Sequence, residues 1–252
     1  MQYWDLVKHL AMREIKARYK QSFLGLLWVV LNPFFQMVIL SFVFSNIVKF
    51  PSLGIPYPVF LYAGLLPWVY FSTAIGASMN VLIDNSPLVK KIYFPREILV
   101  FSSLIAKTFD FFLSSILFIA LLIYFKITFT WYMLIFIPIF LIQFLFTYGL
   151  GLLLSALNLF YRDVQFLFNL ILTLWFYLTP VIYATEFFPE QYRWIFKINP
   201  MSVFINAYRQ VLFTGTMPNI GSLGIGIGIS IGLFAGSYLL FKRLEGIFAD
   251  VA

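Results

Sequence analysis

Charge is what this sequence has least of. Only 11% of its 252 residues are Asp, Glu, Lys or Arg, against roughly 25% in a soluble domain. With 62% hydrophobic residues and a mean hydropathy of +0.93, the chain reads as an integral membrane protein. No stretch of about 100 residues is left over for a soluble domain. Cysteine is absent, which excludes disulfides and thiolate chemistry. A single His, His9, leaves no His/Asp/Glu group spaced for a metal, and no nucleophile stands beside a base. No GxxxxGK[ST] phosphate loop occurs. Alternating polarity is also missing: a run such as MLIFIPIFLIQFLF cannot be a barrel strand, so the spans are helices.

What is present is a set of charge-free runs. The first covers residues 21–48, 28 residues without a charged side chain, enough to cross a bilayer with some tilt. It is too long for a signal-peptide core and no small-residue cleavage site follows, so it is expected to stay in the mature protein. The runs predict six transmembrane helices, about 23–48, 59–83, 104–125, 131–160, 164–184 and 220–241, in one domain over 1–252. The net charge of +7 resembles a nucleic-acid signal until the cations are placed in the loops. Lys8, Arg13, Lys16, Arg18, Lys20, Lys90, Lys91, Arg96, Lys107, Arg162, Lys242 and Arg243 fall on one side. Lys49, Lys126, Arg193, Lys197 and Arg209 fall on the other. Twelve against five predicts both termini in the cytoplasm.

Three segments are neither span nor simple loop. Residues 1–20 set Trp4, Val7, Ala11, Ile15 and Tyr19 at helical spacing with cations opposite, which reads as an amphipathic interface helix or else a solvated basic start. In the loop 84–97, Ser86 can cap a helix whose first turn carries Pro87, and Pro95 disfavours helix at Phe94. This predicts a short basic helix over 87–94, the other reading being a tight turn that obeys the positive-inside rule. Residues 186–215 are too polar to span and too apolar for a solvated loop. Pro189 and Asn199-Pro200 divide them into two short helices, a re-entrant or interfacial hairpin. In the last span Gly224, Gly228, Gly232 and Gly236 recur every four residues, a smooth ridge for a helix of this chain or of another subunit.

Ionisable residues within the spans are few. Lys107 and Asp110 lie one turn apart and can pair. The charged or broken-helix sites of an ion-driven carrier are missing. A chain of this kind that moves a solute uphill must draw its energy from another chain. Aromatic residues, by contrast, make up 21% of the sequence. Phe34, Phe35, Trp175, Phe176 and Tyr177 sit within spans beside Asn32-Pro33 and Thr179-Pro180, where proline can kink or end a helix. They are either lipid-facing belts or surfaces on which sugar rings can stack.

The stretches RYKQSFLGLLWVVLNPF (18–34), LLPWVYF (65–71), LVKKIYFPREIL (88–99), LNLFYRDV (157–164), LTPVIY (178–183) and INPMSVFINAYR (198–209) resemble permease subunits of ABC-2-type polysaccharide exporters, which move O-antigen or teichoic-acid chains. They cover most of the chain in order. The resemblance implies a non-enzymatic homodimer working with two copies of an ATPase subunit, which would bind the ATP and Mg. No cofactor is expected in this chain and no nucleic acid as partner. It implies a cytoplasmic (inner) membrane location and a substrate carried on undecaprenyl diphosphate. Pro87, Leu88, Lys90, Lys91, Tyr93 and Phe94, with Arg162 and Asp163, would meet the ATPase. Phe34, Phe35, Trp175, Phe176 and Tyr177 would line the path. Pro189, Asn199, Pro200 and Arg209 belong to the segment that matches the outer gate. Lys16, Arg18 and Lys20 lie where a pyrophosphate could be met, or serve topology and anionic lipid alone. A drug- or lipid-exporting relative, a membrane transferase with catalytic carboxylates among Asp110, Asp163 and Glu97, and a passive channel are the competing readings.

Overall fold

The computed structural model describes residues 2–19, 24–48, 54–92 and 94–251. Among these the regular structure is all helical. The chain runs α1 (Gln2–Tyr19), α2 (Leu27–Phe42, extended by a π-turn Val43–Ile47), α3 (Tyr57–Asp84), α4 (Ser86–Lys91), α5 (Glu97–Tyr124), α6 (Phe136–Phe160, entered through a tight turn Trp131–Ile135), α7 (Asp163–Leu178), α8 (Trp194–Ile198), α9 (Pro200–Arg209), α10 (Ile220–Leu244) and α11 (Phe248–Val251).

Among the described residues five helical segments are long and apolar enough to cross a membrane: Leu27–Ile47, Tyr57–Asp84, Glu97–Tyr124, Trp131–Phe160 and Ile220–Val251. The expected fifth span, 164–184, is not a full helix. α7 has 16 residues, about 24 Å of rise, short of the roughly 20 residues a crossing needs. It stops at Leu178, where Thr179 turns extended ahead of Pro180. Residues 179–184 continue without regular structure.

α3 is the hub. It packs against α2, α5, α6, α7 and α9, and 78% of its apolar window is buried, against 17% for α2 and for α10. Its apolar window is the least apolar of the five spans, so it is the span least suited to face lipid and the one the other helices enclose. Polar side chains tie it to its neighbours. Gln143 of α6 is fully buried; its Nε2 donates to the carbonyl of Pro67 (2.9 Å) and its Oε1 accepts from the Tyr208 hydroxyl (2.8 Å). Asn158, also fully buried, donates to the Met79 carbonyl (2.9 Å) and accepts from the Gln165 amide (3.2 Å). Such bonds contribute on the order of 1 kcal/mol each in an apolar medium, and they fix register besides.

Small residues set the other close approach. A Cβ on Gly149 would stand 2.7 Å from the Phe234 Cα, so α6 and α10 meet backbone to backbone. The ridge Gly224, Gly228, Gly232 and Gly236 does not serve this purpose, because added Cβ atoms there would meet nothing within 4 Å. Packing inside the chain uses Gly226, which faces Val203 and Phe204 of α9.

α1 departs from the expected stripe. Val7, Leu10 and Ala11 are buried, while Tyr3, Trp4 and Met12 are about half exposed. The helix docks on α5, which covers only a narrow strip and leaves Trp4 on the open face.

Candidate functional site

Two regions gather the residues singled out in the sequence, one at each end of the bundle. At the first, α3 ends at Asp84 and the chain turns directly into α4. Asn85 takes the capping position expected of Ser86, which is itself helical, with Pro87 in the first turn. Asn85 makes no capping bond: its Nδ2 donates to the Val81 carbonyl (2.8 Å) and its Oδ1 accepts from Arg13 of α1. The helix ends at Lys91, with Ile92 extended, three residues before the expected 94. The β-branched Ile92 favours extended backbone, and Pro95 disfavours resumption of the helix at Phe94. Pro87, Lys90 and Lys91 are exposed, whereas Val89 and Phe94 are buried. Phe94 is thus an anchor under the loop, and the basic face is what the loop presents. Tyr93 lies outside the described residues.

An ion cluster holds this loop from behind. Lys242 of α10 lies 2.7 Å from the Glu97 carboxylate and 2.9 Å from Glu245. Glu245 accepts the Arg96 backbone N–H (2.7 Å), and its carbonyl accepts from the Arg96 guanidinium (2.5 Å). α11 then packs against α4 and α6 through the buried Phe248, whose ring meets Phe241 and Phe160. Sequence reasoning missed this cluster, since Arg96 and Glu245 are 149 residues apart. The only local signal was the spacing of Lys242 and Glu245 by three. Arg162 and Asp163 are exposed at the start of α7, where Asp163 suits the helix N-terminus. Lys16 lines an open groove with His9 and Arg13. Lys20 and the Arg18 side chain lie outside the described residues.

At the other end the break after α7 is closed by donors. The Thr179 hydroxyl donates to the Trp175 carbonyl (2.8 Å), the Tyr183 hydroxyl to Tyr177 (2.6 Å), Asn199 Nδ2 to Leu178 (3.3 Å), and the Tyr57 hydroxyl to Ile182 (2.8 Å). Arg209 takes most of the rest. Its Nη1 donates to Pro180 (2.5 Å) and Tyr183 (3.3 Å), and its Nη2 to Val181 (2.7 Å) and Phe60 (3.3 Å). The guanidinium lies 3.6 Å from the Phe60 ring centre, over a backbone where a Cβ at Gly64 would come within 2.7 Å of Nη2. Irregular backbone at this depth is tolerated only when buried in protein and fully bonded, and Arg209 supplies that. Asn199 joins the same knot. It caps α9 through Met201 N–H (3.1 Å) and accepts the Trp175 indole N–H (2.9 Å). Pro200 opens α9, and Pro189 precedes a single tight turn, Glu190–Tyr192. Every residue of α9 except Asn206 is buried, so this helix is core.

The five candidate path aromatics divide. Trp175 packs edge-on against Phe71 and Phe146, and Phe176 against Trp68. Phe34 packs on the core. Phe35 and Tyr177 are 50% and 63% exposed and present their rings outward. Lys107 and Asp110 pair as expected, at 3.8 Å. Among the described residues no three His, Asp, Glu or Cys side chains group as metal ligands.

These features define a multi-pass helical membrane protein with a polar, hydrogen-bonded organisation at both ends. Residues 5–213 match the ABC-2 type transporter family, and the chain belongs to it. It is 32% identical over 252 residues to the O-antigen export system permease protein RfbA of Myxococcus xanthus, covering 99% of this chain and 96% of that protein. The Klebsiella pneumoniae protein of the same name is 32% identical over 98% of this chain and 95% of its own length. The polysialic acid transport protein KpsM of Escherichia coli is 25% identical over 96% and 94%.

Proposed function

We propose that this chain is the permease through which a polysaccharide, carried on undecaprenyl diphosphate, leaves across the bacterial cytoplasmic membrane. ATP is hydrolysed by a separate subunit, two copies of which serve a permease homodimer. The observation that carries this reading is the 32% identity with O-antigen export permeases over 98–99% of the chain. The geometry of α4 supports it. Exposed Pro87, Lys90 and Lys91 stand on a helix anchored by Val89 and Phe94 and braced by α1 and α11, a form suited to receive a push. Arg162 and Asp163 would add to the same contact. Both termini and α4 are then cytoplasmic, and α8–α9 is the outer gate, with Pro189, Asn199, Pro200 and Arg209 as its fixed points.

α2 and α7 each show a continuous apolar face: Phe35, Ile39 and Phe42 on one, Phe166, Leu170 and Tyr177 on the other. In the proposed dimer these faces meet the second copy and line the path, with Phe35 and Tyr177 available to sugar rings. Lys16 of the α1 groove, with Arg18 and Lys20, would meet the pyrophosphate. Deleting the gene tests the reading. Loss of surface polysaccharide with accumulation of its lipid-linked form is expected. Intact surface polysaccharide, together with failure of the chain to co-purify with an ATPase in nanodiscs, overturns it.

A further inference from the structure

Between the 185–197 segment, α9 and the first turn of α10 lies a cavity of about 360 Å³, within the size range of small-molecule sites. It is apart from the α2 and α7 faces. Its walls carry a mixed set of polar groups that the fold leaves unused. Lys197 makes no ion pair among the described residues, and the side chains of Asn206 and Ser222 have no hydrogen-bond partner there. Gln210 uses only its Oε1, which accepts from the Asn219 N–H (3.0 Å), leaving its amide nitrogen free. Among the described residues the Glu186 carboxylate receives only the Thr185 hydroxyl, at 3.4 Å. Arg209, 7% exposed, forms part of the wall, and its Nε is buried without an acceptor. Phe213 supplies an apolar surface.

The buried Arg209 Nε and the half-buried Asn206, Gln210 and Ser222 leave donors and acceptors that water or a ligand can meet, with the exposed Lys197 and Glu186 at the rim. The mixture selects among ligands. A phosphate offers only acceptors and would face Glu186. A cation would face Lys197 and Arg209. An acyl chain would leave every one of these groups unpaired. A hydroxylated ring both donates and accepts around its edge and can lay an apolar face on Phe213. We infer that this cavity is a saccharide-binding site on the exit side of the permease, taking one or a few sugar units of the emerging chain. The inference rests on the transport reading above.

The test uses the permease–ATPase complex in nanodiscs and short oligosaccharides released by mild acid from the host's own surface polysaccharide. Saturation-transfer NMR is expected to show saturable binding. Asn206→Leu and Ser222→Val, which remove no bond the fold makes, should each weaken it about tenfold, as loss of a hydrogen bond inside a site does, with melting temperature and ATPase rate unchanged. No binding by the wild-type complex, or equal affinity in both variants, overturns the inference. If the wild-type chain restores surface polysaccharide to a deletion strain yet shows no binding, the saccharide site fails and the transport reading stands. If deletion leaves surface polysaccharide intact, the transport reading itself fails.

Discussion

Arg209 shows how one side chain can permit a broken helix in an apolar medium. Proline 180 ends α7, and four carbonyls, Phe60, Pro180, Val181 and Tyr183, converge on its guanidinium. The planar five-donor fork matches such a cage, and an ammonium with three donors does not. Arg209→Met leaves these carbonyls unpaired and is expected to lower stability by roughly 3 kcal/mol or more, read as a fall in melting temperature in detergent. Arg209→Lys should recover part of the loss. Gly64→Ala, which pushes on Nη2, should destabilise in the same assay. The aromatic residues separate in the same manner. Trp175→Ala removes a partly buried indole bonded to Asn199 and packed on two rings, and should cost about 2–3 kcal/mol, below the range for a fully buried large-to-small change. Tyr177→Ala, on an exposed ring, should keep the protein folded and slow export, measured as the rate of surface polysaccharide appearance. Unchanged export would make Tyr177 a lipid-facing residue only.

Among the elements, α4 is the one whose two faces have different tasks. Lys90→Glu with Lys91→Glu alters only exposed groups. ATP hydrolysis by the complex is expected to continue while export falls, with the dimer intact. Export at the wild-type rate would make these lysines topology signals. Phe94→Ala should instead destabilise the chain by about 3–5 kcal/mol, because the ring is buried beneath the loop. The cluster behind α4 makes a separate prediction. Glu97→Lys leaves Lys242 facing a like charge across the 2.7 Å contact and should impair export. Combining it with Lys242→Glu should restore only part of export, because the new carboxylate then faces Glu245, the second partner of Lys242. Bounds of elements were legible where punctuation was strong: Asn199-Pro200 opened α9 as expected, and α4 began at Ser86, one residue ahead of the expected Pro87. They were less so where packing intervened. α4 stopped early at the extended Ile92, and α1 buried the strip that α5 could reach.

For the whole molecule, the bare faces of α2 and α7 and the open Gly224–Gly236 ridge leave considerable apolar surface for lipid or other subunits. Native mass spectrometry from nanodiscs is expected to show two 29.3 kDa chains bound to two ATPase copies. A stable one-to-one complex would refute the dimer. Much of this protein could be read from its residues in order. Scarcity of charge named the solvent, since no chain so apolar can remain in water. Uneven placement of Lys and Arg supplied an expected orientation, and the spaced motifs supplied the family. These signals are local, carried by neighbours along the chain. The enclosure of α3, the Gln143 and Asn158 ties, the Arg96–Glu97–Lys242–Glu245 cluster and the collar around Arg209 join residues separated by tens to more than a hundred positions. Which donor meets which carbonyl is settled only when the helices pack, because in an apolar medium each buried polar group must find its partner wherever in the chain that partner lies.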